Sequence, residues 1–173
     1  MENNIKKISL SDSKDLIYKS NTLARSKYDI TLIQARFIAF LSSFVDKDDE
    51  DFFTYQIQIK PVLDFLEIDR TNLKYLSNTL KQLQTTLICL QDDDEAEAYT
   101  TFLSFFKLDK KNELLEFRFD SSLKKHYVQL KNNFTTLEIA NYKKFESVFT
   151  IKIYEFIKSN FQLYKKYENS LFR

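Results

Sequence analysis

Residues 61–91 read PVLDFLEIDRTNLKYLSNTLKQLQTTLICLQ, and this stretch decides the fold. Pro61 suits the first position of a helix, where its missing N–H is no loss, so PVLDFLEI predicts a short helix. Asp69 or Thr71 can cap a second helix running to about Thr85. Leu73, Leu76, Leu80, Leu83 and Leu87 fall on one narrow stripe, which marks a buried side. Thr86–Gln91 is apolar and β-branched, the composition of a strand. The acidic turn DDDEAE follows, then a longer strand (Tyr99–Asp109), a turn at Lys110–Asn112 and a third strand, ELLEFRFD. These three strands predict an antiparallel meander. Two helices joined by a tight turn and followed by a hairpin are the parts of a winged helix-turn-helix, in the α+β class.

Upstream, Phe53, Tyr55, Ile57 and Ile59 alternate with Thr54, Gln56 and Gln58, as in a half-buried strand. Before it, the solvated run DKDDED separates this strand from a segment beginning at Leu32 that is apolar on nearly every side. With Thr31 as its cap, that segment predicts a central buried helix. Ser20 or Asn21 can cap a short helix over Thr22–Ser26. Downstream, SSLKKHYVQL predicts a serine-capped helix, and Ser147–Tyr167 a long C-terminal helix.

Composition excludes much chemistry. The 173 residues suit one ordinary domain. There is no glycine, so the Gly-rich phosphate cradles of the P-loop and dinucleotide-binding types are impossible. One cysteine (Cys89) and one histidine (His126) make zinc sites untenable and an internal disulfide impossible. No apolar run approaches a membrane span, and MENNIKKISLSDSKD lacks a signal-peptide core. The expectation is a soluble cytoplasmic protein with no cofactor and no metal. Charge is uneven: residues 1–45 carry +3, 46–120 carry −8 and 121–173 carry +6. A nucleic-acid partner should meet the ends and avoid the middle.

The order of segments resembles the Rep-type replication initiators of iteron-containing plasmids. That family opens with Ser-Asn-x-Leu before a short loop and a buried helix. Here Ser20, Asn21 and Leu23 begin SNTLARSKYDITLIQARFIAFLSSF, with Tyr28 and Ile30–Thr31 following. VLDFLEI, the leucine-spaced helix and TLICL match in order. FTIKIYEFIKSNF is similar to the segment that opens the family's connecting helix, with Ile153–Tyr154 at its Leu-Tyr. The resemblance spans about residues 20–164. It implies the N-terminal, dimer-forming winged-helix domain of an initiator, with no enzymatic activity. Implied partners are double-stranded DNA (origin iterons or an operator), a second copy and host replication proteins. The division it suggests is a mobile segment over 1–15, a winged-helix domain over 16–145 and a connecting helix over 146–173 leading toward a second domain that is absent.

Candidate DNA contacts lie opposite the leucine stripe: Lys74, Asn78, Lys81 and Thr85, with Arg70 and Thr71 at the helix start. Lysine meets phosphate and asparagine can pair with adenine; the plainer reading is a solvated helix face. Five carboxylates in Asp92–Glu97 would repel phosphate, so that turn should stay out of a groove. The strand Tyr99–Leu108 is apolar on both sides, with Phe102, Phe106 and Leu108 opposing Leu103 and Phe105. In the return strand Leu115, Phe117 and Phe119 oppose Leu114. The face carrying Leu103, Phe105 and Leu114 needs a cover, either the terminal helix or a second subunit, and it is the candidate dimer interface.

Late in the chain, Lys124, Lys125, Lys131, Lys143, Lys144, Lys152, Lys158, Lys165 and Lys166 interleave with Tyr127, Tyr142, Tyr154, Tyr164 and Tyr167. They read as a solvated lysine surface over buried aromatics, or as a stacking platform for single strands. Ser122 and His126 can meet at i,i+4 but lack a third catalytic partner, and the histidine should pack at the surface. Cys89, alternating with Leu87, should be buried. The alternatives to an initiator role are a protein-interaction module and a small winged-helix transcriptional regulator.

Overall fold

The computed structural model describes residues 5–92 and 94–171. In chain order the elements are β1 (Ile5–Lys7), β2 (Leu16–Ser20), α1 (Asn21–Arg25), α2 (Leu32–Ser42), β3 (Thr54–Gln58), α3 (Ile59–Leu66), α4 (Leu73–Thr85), β4 (Ile88–Asp92), β5 (Glu97–Thr100), β6 (Leu103–Asp109), β7 (Leu114–Phe119), α5 (Lys124–Tyr127), β8 (Phe134–Glu138), α6 (Ile139–Lys144) and α7 (Val148–Leu171).

Helix α2 is the axis of the core. Its start is a closed capping box: Gln34 N–H donates to Thr31 Oγ1 (3.4 Å), and Thr31 N–H donates to Gln34 Oε1 (2.7 Å). Phe37, Ile38, Ala39, Phe40 and Leu41 are all buried. Five successive buried residues mean protein on every side of the helix. Helix α1 is likewise capped by Ser20, whose hydroxyl accepts the Leu23 N–H (3.1 Å).

The largest sheet has the order β1-β3-β7-β6, with β1 parallel to β3 and the other pairs antiparallel. Tyr55 and Ile57 of β3 turn inward beside Leu115, Phe117 and Phe119 of β7. The Tyr55 and Phe117 rings stack at 5.2 Å. Strand β1 corrects the expected mobile segment. Ile5–Lys7 pair with Thr54–Gln56, and Ile8 N–H reaches Gln56 O (2.8 Å). The edge of β3 offers unpaired backbone groups, and even a polar segment satisfies them. Residues 1–4 lie outside the described residues.

The continuous meander is also corrected. The expected long strand breaks at Thr101–Phe102, leaving β4–β5 as a separate hairpin while β6 joins β7. Phe102 is buried edge-on against Tyr28 (5.1 Å), and its carbonyl accepts the Asp120 N–H (3.1 Å). Both ties take it out of the pleat. A bulge then shifts the register, pairing Leu103 with Phe119 but Phe105 with Arg118. The extra residue puts Leu103 into the core rather than on the opposite face. The candidate dimer face therefore does not exist as read. Leu103 is fully buried, and Phe105 and Leu114 are half-buried on a side shared with Lys107, Glu116 and Arg118.

Smaller corrections follow the same logic. Pro61 is the third residue of α3, still in the turn whose N–H groups lack acceptors. Asp120, not a serine, caps the turn before α5, accepting the Ser122 N–H (2.9 Å). Strand β4 begins with Ile88 inward, so Leu87 is exposed and Cys89 only half-buried. A further pair of strands, β2 and β8, runs antiparallel from Leu16↔Glu138 to Ser20↔Phe134. Helix α7 lies over this pair and α1, burying Ile151, Glu155 and Ser159.

Candidate nucleic-acid interface

Helices α3 and α4 meet at a turn built without glycine. Glu67 takes the left-handed conformation (φ 57°) that ends α3, at a cost of roughly 1 kcal/mol. Ile68 N–H donates to Leu63 O (3.0 Å) and closes the turn. Asp69 then caps a single 3-10 turn over Arg70–Asn72 by accepting the Thr71 N–H (2.8 Å). Asn72 caps α4, accepting the Tyr75 N–H (3.3 Å). The start of α4 is thus set by two successive caps, of which the sequence reading found the first.

Leu76, Leu80 and Leu83 bury α4 against α2 and β6. Gln34 Nε2 donates to Gln82 Oε1 (2.8 Å), fixing the helix's rotation about its axis. With the leucines inward, all six candidate residues are exposed on the opposite side. Three of them have local work. Arg70 is paired with Glu113 in the β6–β7 turn and holds that carboxyl below the usual range. The Thr71 hydroxyl donates to Asp69 Oδ1 (2.5 Å), and the Thr85 hydroxyl to Gln82 O (3.1 Å). Among the described residues, none bonds the side chains of Lys74, Asn78 or Lys81. Their i, i+4, i+7 spacing sets two ammonium groups and a carboxamide along one line of the helix. Exposed Tyr75 flanks that line. The sequence reading missed it, although an aromatic on the polar flank of an amphipathic helix was a visible signal.

The other candidates are dispersed. The β4–β5 hairpin carries exposed Asp94, Glu95 and Glu97 at its tip; Asp93 lies outside the described residues. No group of three or more His, Cys, Asp or Glu among the described residues is placed to hold a metal. Among the described residues the stacking platform is not assembled, because Tyr127 and Tyr142 are core residues. Several late lysines are also engaged: Lys124 with Asp51 (3.3 Å), Lys158 with Glu138 (3.2 Å) and Lys152 at the carbonyl of Ser26 (3.3 Å). The side chains of Tyr164, Lys165, Lys166 and Tyr167 lie outside the described residues. His126 is buried, not at the surface. It pairs with Ser20 rather than Ser122, the Ser20 hydroxyl lying 2.6 Å from Nδ1. Burial, then the nearby Lys125 charge, lowers its pKa to about 4. No described helix is long and apolar enough to cross a membrane.

The family described as Initiator Replication protein, WH1, matches residues 16–158. A solved structure titled "Crystal structure of Pi initiator protein in complex with iteron DNA" is similar in fold, with a TM-score of 0.63 and 17% sequence identity. The match covers 86% of this chain and 65% of that one, so this chain spans just under two thirds of that protein's length. No curated protein matches the sequence.

Proposed function

This chain belongs to the initiator replication protein family through its WH1 region, and from that premise we propose that it serves plasmid DNA replication initiation by contacting origin iterons or an operator. Helix α4 makes the contact. Lys74 and Lys81 meet phosphates, and Asn78 lies between them where a base edge can be read. The observation that carries this reading is the exposed line Lys74–Asn78–Lys81 on the second helix of the helix-turn-helix. The similar solved fold comes from an initiator bound to iteron DNA, which supports it. The role is binding rather than catalysis, in the cytoplasm. Its partners are double-stranded DNA, a second copy of the chain and host replication proteins.

The acidic hairpin tip favors a second reading. Beside phosphate it is repulsive, so a protein-interaction module that leaves DNA alone, or a regulator whose wing stays out of the groove, fits that one feature. Titrating the chain by fluorescence anisotropy against an iteron duplex and a scrambled duplex of equal length separates the readings. Salt-sensitive binding with preference for the iteron supports the initiator role. Absence of binding to either duplex at low salt supports the interaction module.

A further inference from the structure

Gln34 is buried (4% exposed), and both ends of its side chain are in use. Its Oε1 accepts the Thr31 N–H (2.7 Å) as half of the capping box of α2. That contact settles which way the carboxamide points. Nε2 is therefore the end that faces α4, where it donates to Gln82 Oε1 (2.8 Å). Capping alone does not call for glutamine. Glutamate serves the third position of a capping box equally well, and its charge suits the positive end of the helix dipole. Glutamine adds a donor, and the donor goes to α4.

The acceptor is well placed to matter. Gln82 directly follows Lys81 and lies one helical turn beyond Asn78 on the same side. The start of α4 is held by its two caps and by Arg70, paired with Glu113. Its second half rests on Leu80 and Leu83, whose apolar contacts carry no direction of their own. The Gln34–Gln82 bond is directional and holds that half against rotation. At about 6 Å from the helix axis, a rotation of about 10° moves a side-chain tip by about 1 Å. A flexible lysine stem absorbs such a shift and still meets phosphate. An asparagine joined to a base edge at two points does not.

We infer that Gln34 is a positioning residue for base reading: through Gln82 it holds α4 at the rotation where Asn78 meets a base edge. The phosphate contacts of Lys74 and Lys81 do not depend on it. The inference rests on the reading of α4 given above and names a residue that sets its specificity from outside the helix.

The test is a mutant cycle on the full chain, read by fluorescence anisotropy on an iteron duplex and a scrambled duplex of equal length. In Gln34→Glu the capping acceptor remains, and the Gln82 carboxamide turns over to donate to the new carboxylate. In Gln82→Glu, Gln34 Nε2 still has its acceptor. Each single variant therefore keeps the tether and the wild-type ratio of iteron to scrambled affinity. In Gln34→Glu/Gln82→Glu two carboxylates face each other with no donor between them. The ratio is then expected to fall about fivefold or more, while the slope of log K against log salt stays that of the wild type. Added negative charge weakens binding to both duplexes alike and cancels in the ratio. Gln82→Ala, at an exposed position, removes the acceptor without adding charge. It should show the same fall in ratio with unchanged circular dichroism, whether or not the double variant folds. A wild-type ratio in Gln82→Ala overturns the role of Gln34 while the α4 reading stands. A ratio already lost in either single glutamate variant points to charge or direct contact rather than the tether, and overturns it too. A wild type that binds both duplexes equally overturns the base reading and this inference together.

Discussion

Lys19 and Glu155 stand 136 positions apart in sequence and meet in a 2.6 Å ion pair from which water is almost wholly excluded. The pair joins β2 to α7, and Tyr142 donates to the same carboxylate oxygen. Burying two charges is costly, and the pair is tolerated because each neutralises the other, although the second Glu155 oxygen, Oε2, is buried without a hydrogen-bond partner. It therefore fixes where α7 docks more than it adds stability.

Removing one partner should consequently do more harm than removing both. Glu155→Leu leaves a buried ammonium and is expected to cost about 3–5 kcal/mol. Lys19→Met combined with Glu155→Leu should recover most of that loss. Urea denaturation of the two variants beside the wild type measures the difference. Equal destabilisation by both would contradict the account.

His126 gives the fold a dependence on pH. Its pKa is about 4 when folded, against 6.5 for the unperturbed group. The unfolded chain then binds the proton more readily, so this contribution is complete above about pH 6.5 and is lost as pH falls toward 4. The difference amounts to at most about 3 kcal/mol. Urea midpoints at pH 7 and pH 4.5 should fall further apart for the wild type than for His126→Gln. Parallel behavior would mean that the histidine is not held neutral.

Leu103 separates a core residue from an interface residue. Leu103→Ala should destabilise the chain by about 2–5 kcal/mol, while self-association measured under conditions where the variant is folded stays as in the wild type. Weakened association at unchanged stability would restore the sheet face as the pairing surface.

Much of this fold could be read from side-chain pattern alone. The Thr31 cap, the enclosed helix behind it, the Tyr55/Ile57 alternation and the leucine stripe of α4 are local signals, each complete within a dozen residues. So is the exposed line of Lys74, Asn78 and Lys81, because burying one side of a helix fixes the other. What escaped is non-local. Ile5–Lys7 is a strand only because β3 offers it an edge, and Leu16–Ser20 only because Phe134–Glu138 lies opposite. Lys19 looks like a surface residue until Glu155 arrives from the far end of the chain. The bulge beside Leu103 moves that residue across to the core side that Phe106 and Leu108 share, and period-two patterning carries no notice of an inserted residue.

The central claim is that α4 meets DNA through Lys74 and Lys81. It is tested most directly by the salt dependence of binding to an iteron duplex, for the wild type and for a Lys74→Ala/Lys81→Ala variant. Each phosphate contact releases condensed counterions, so the slope of log K against log salt should become shallower by about 2 in the variant. Binding should weaken on iteron and scrambled duplexes alike, with the urea midpoint unchanged. An unaltered slope and affinity would place the contact elsewhere and contradict the account.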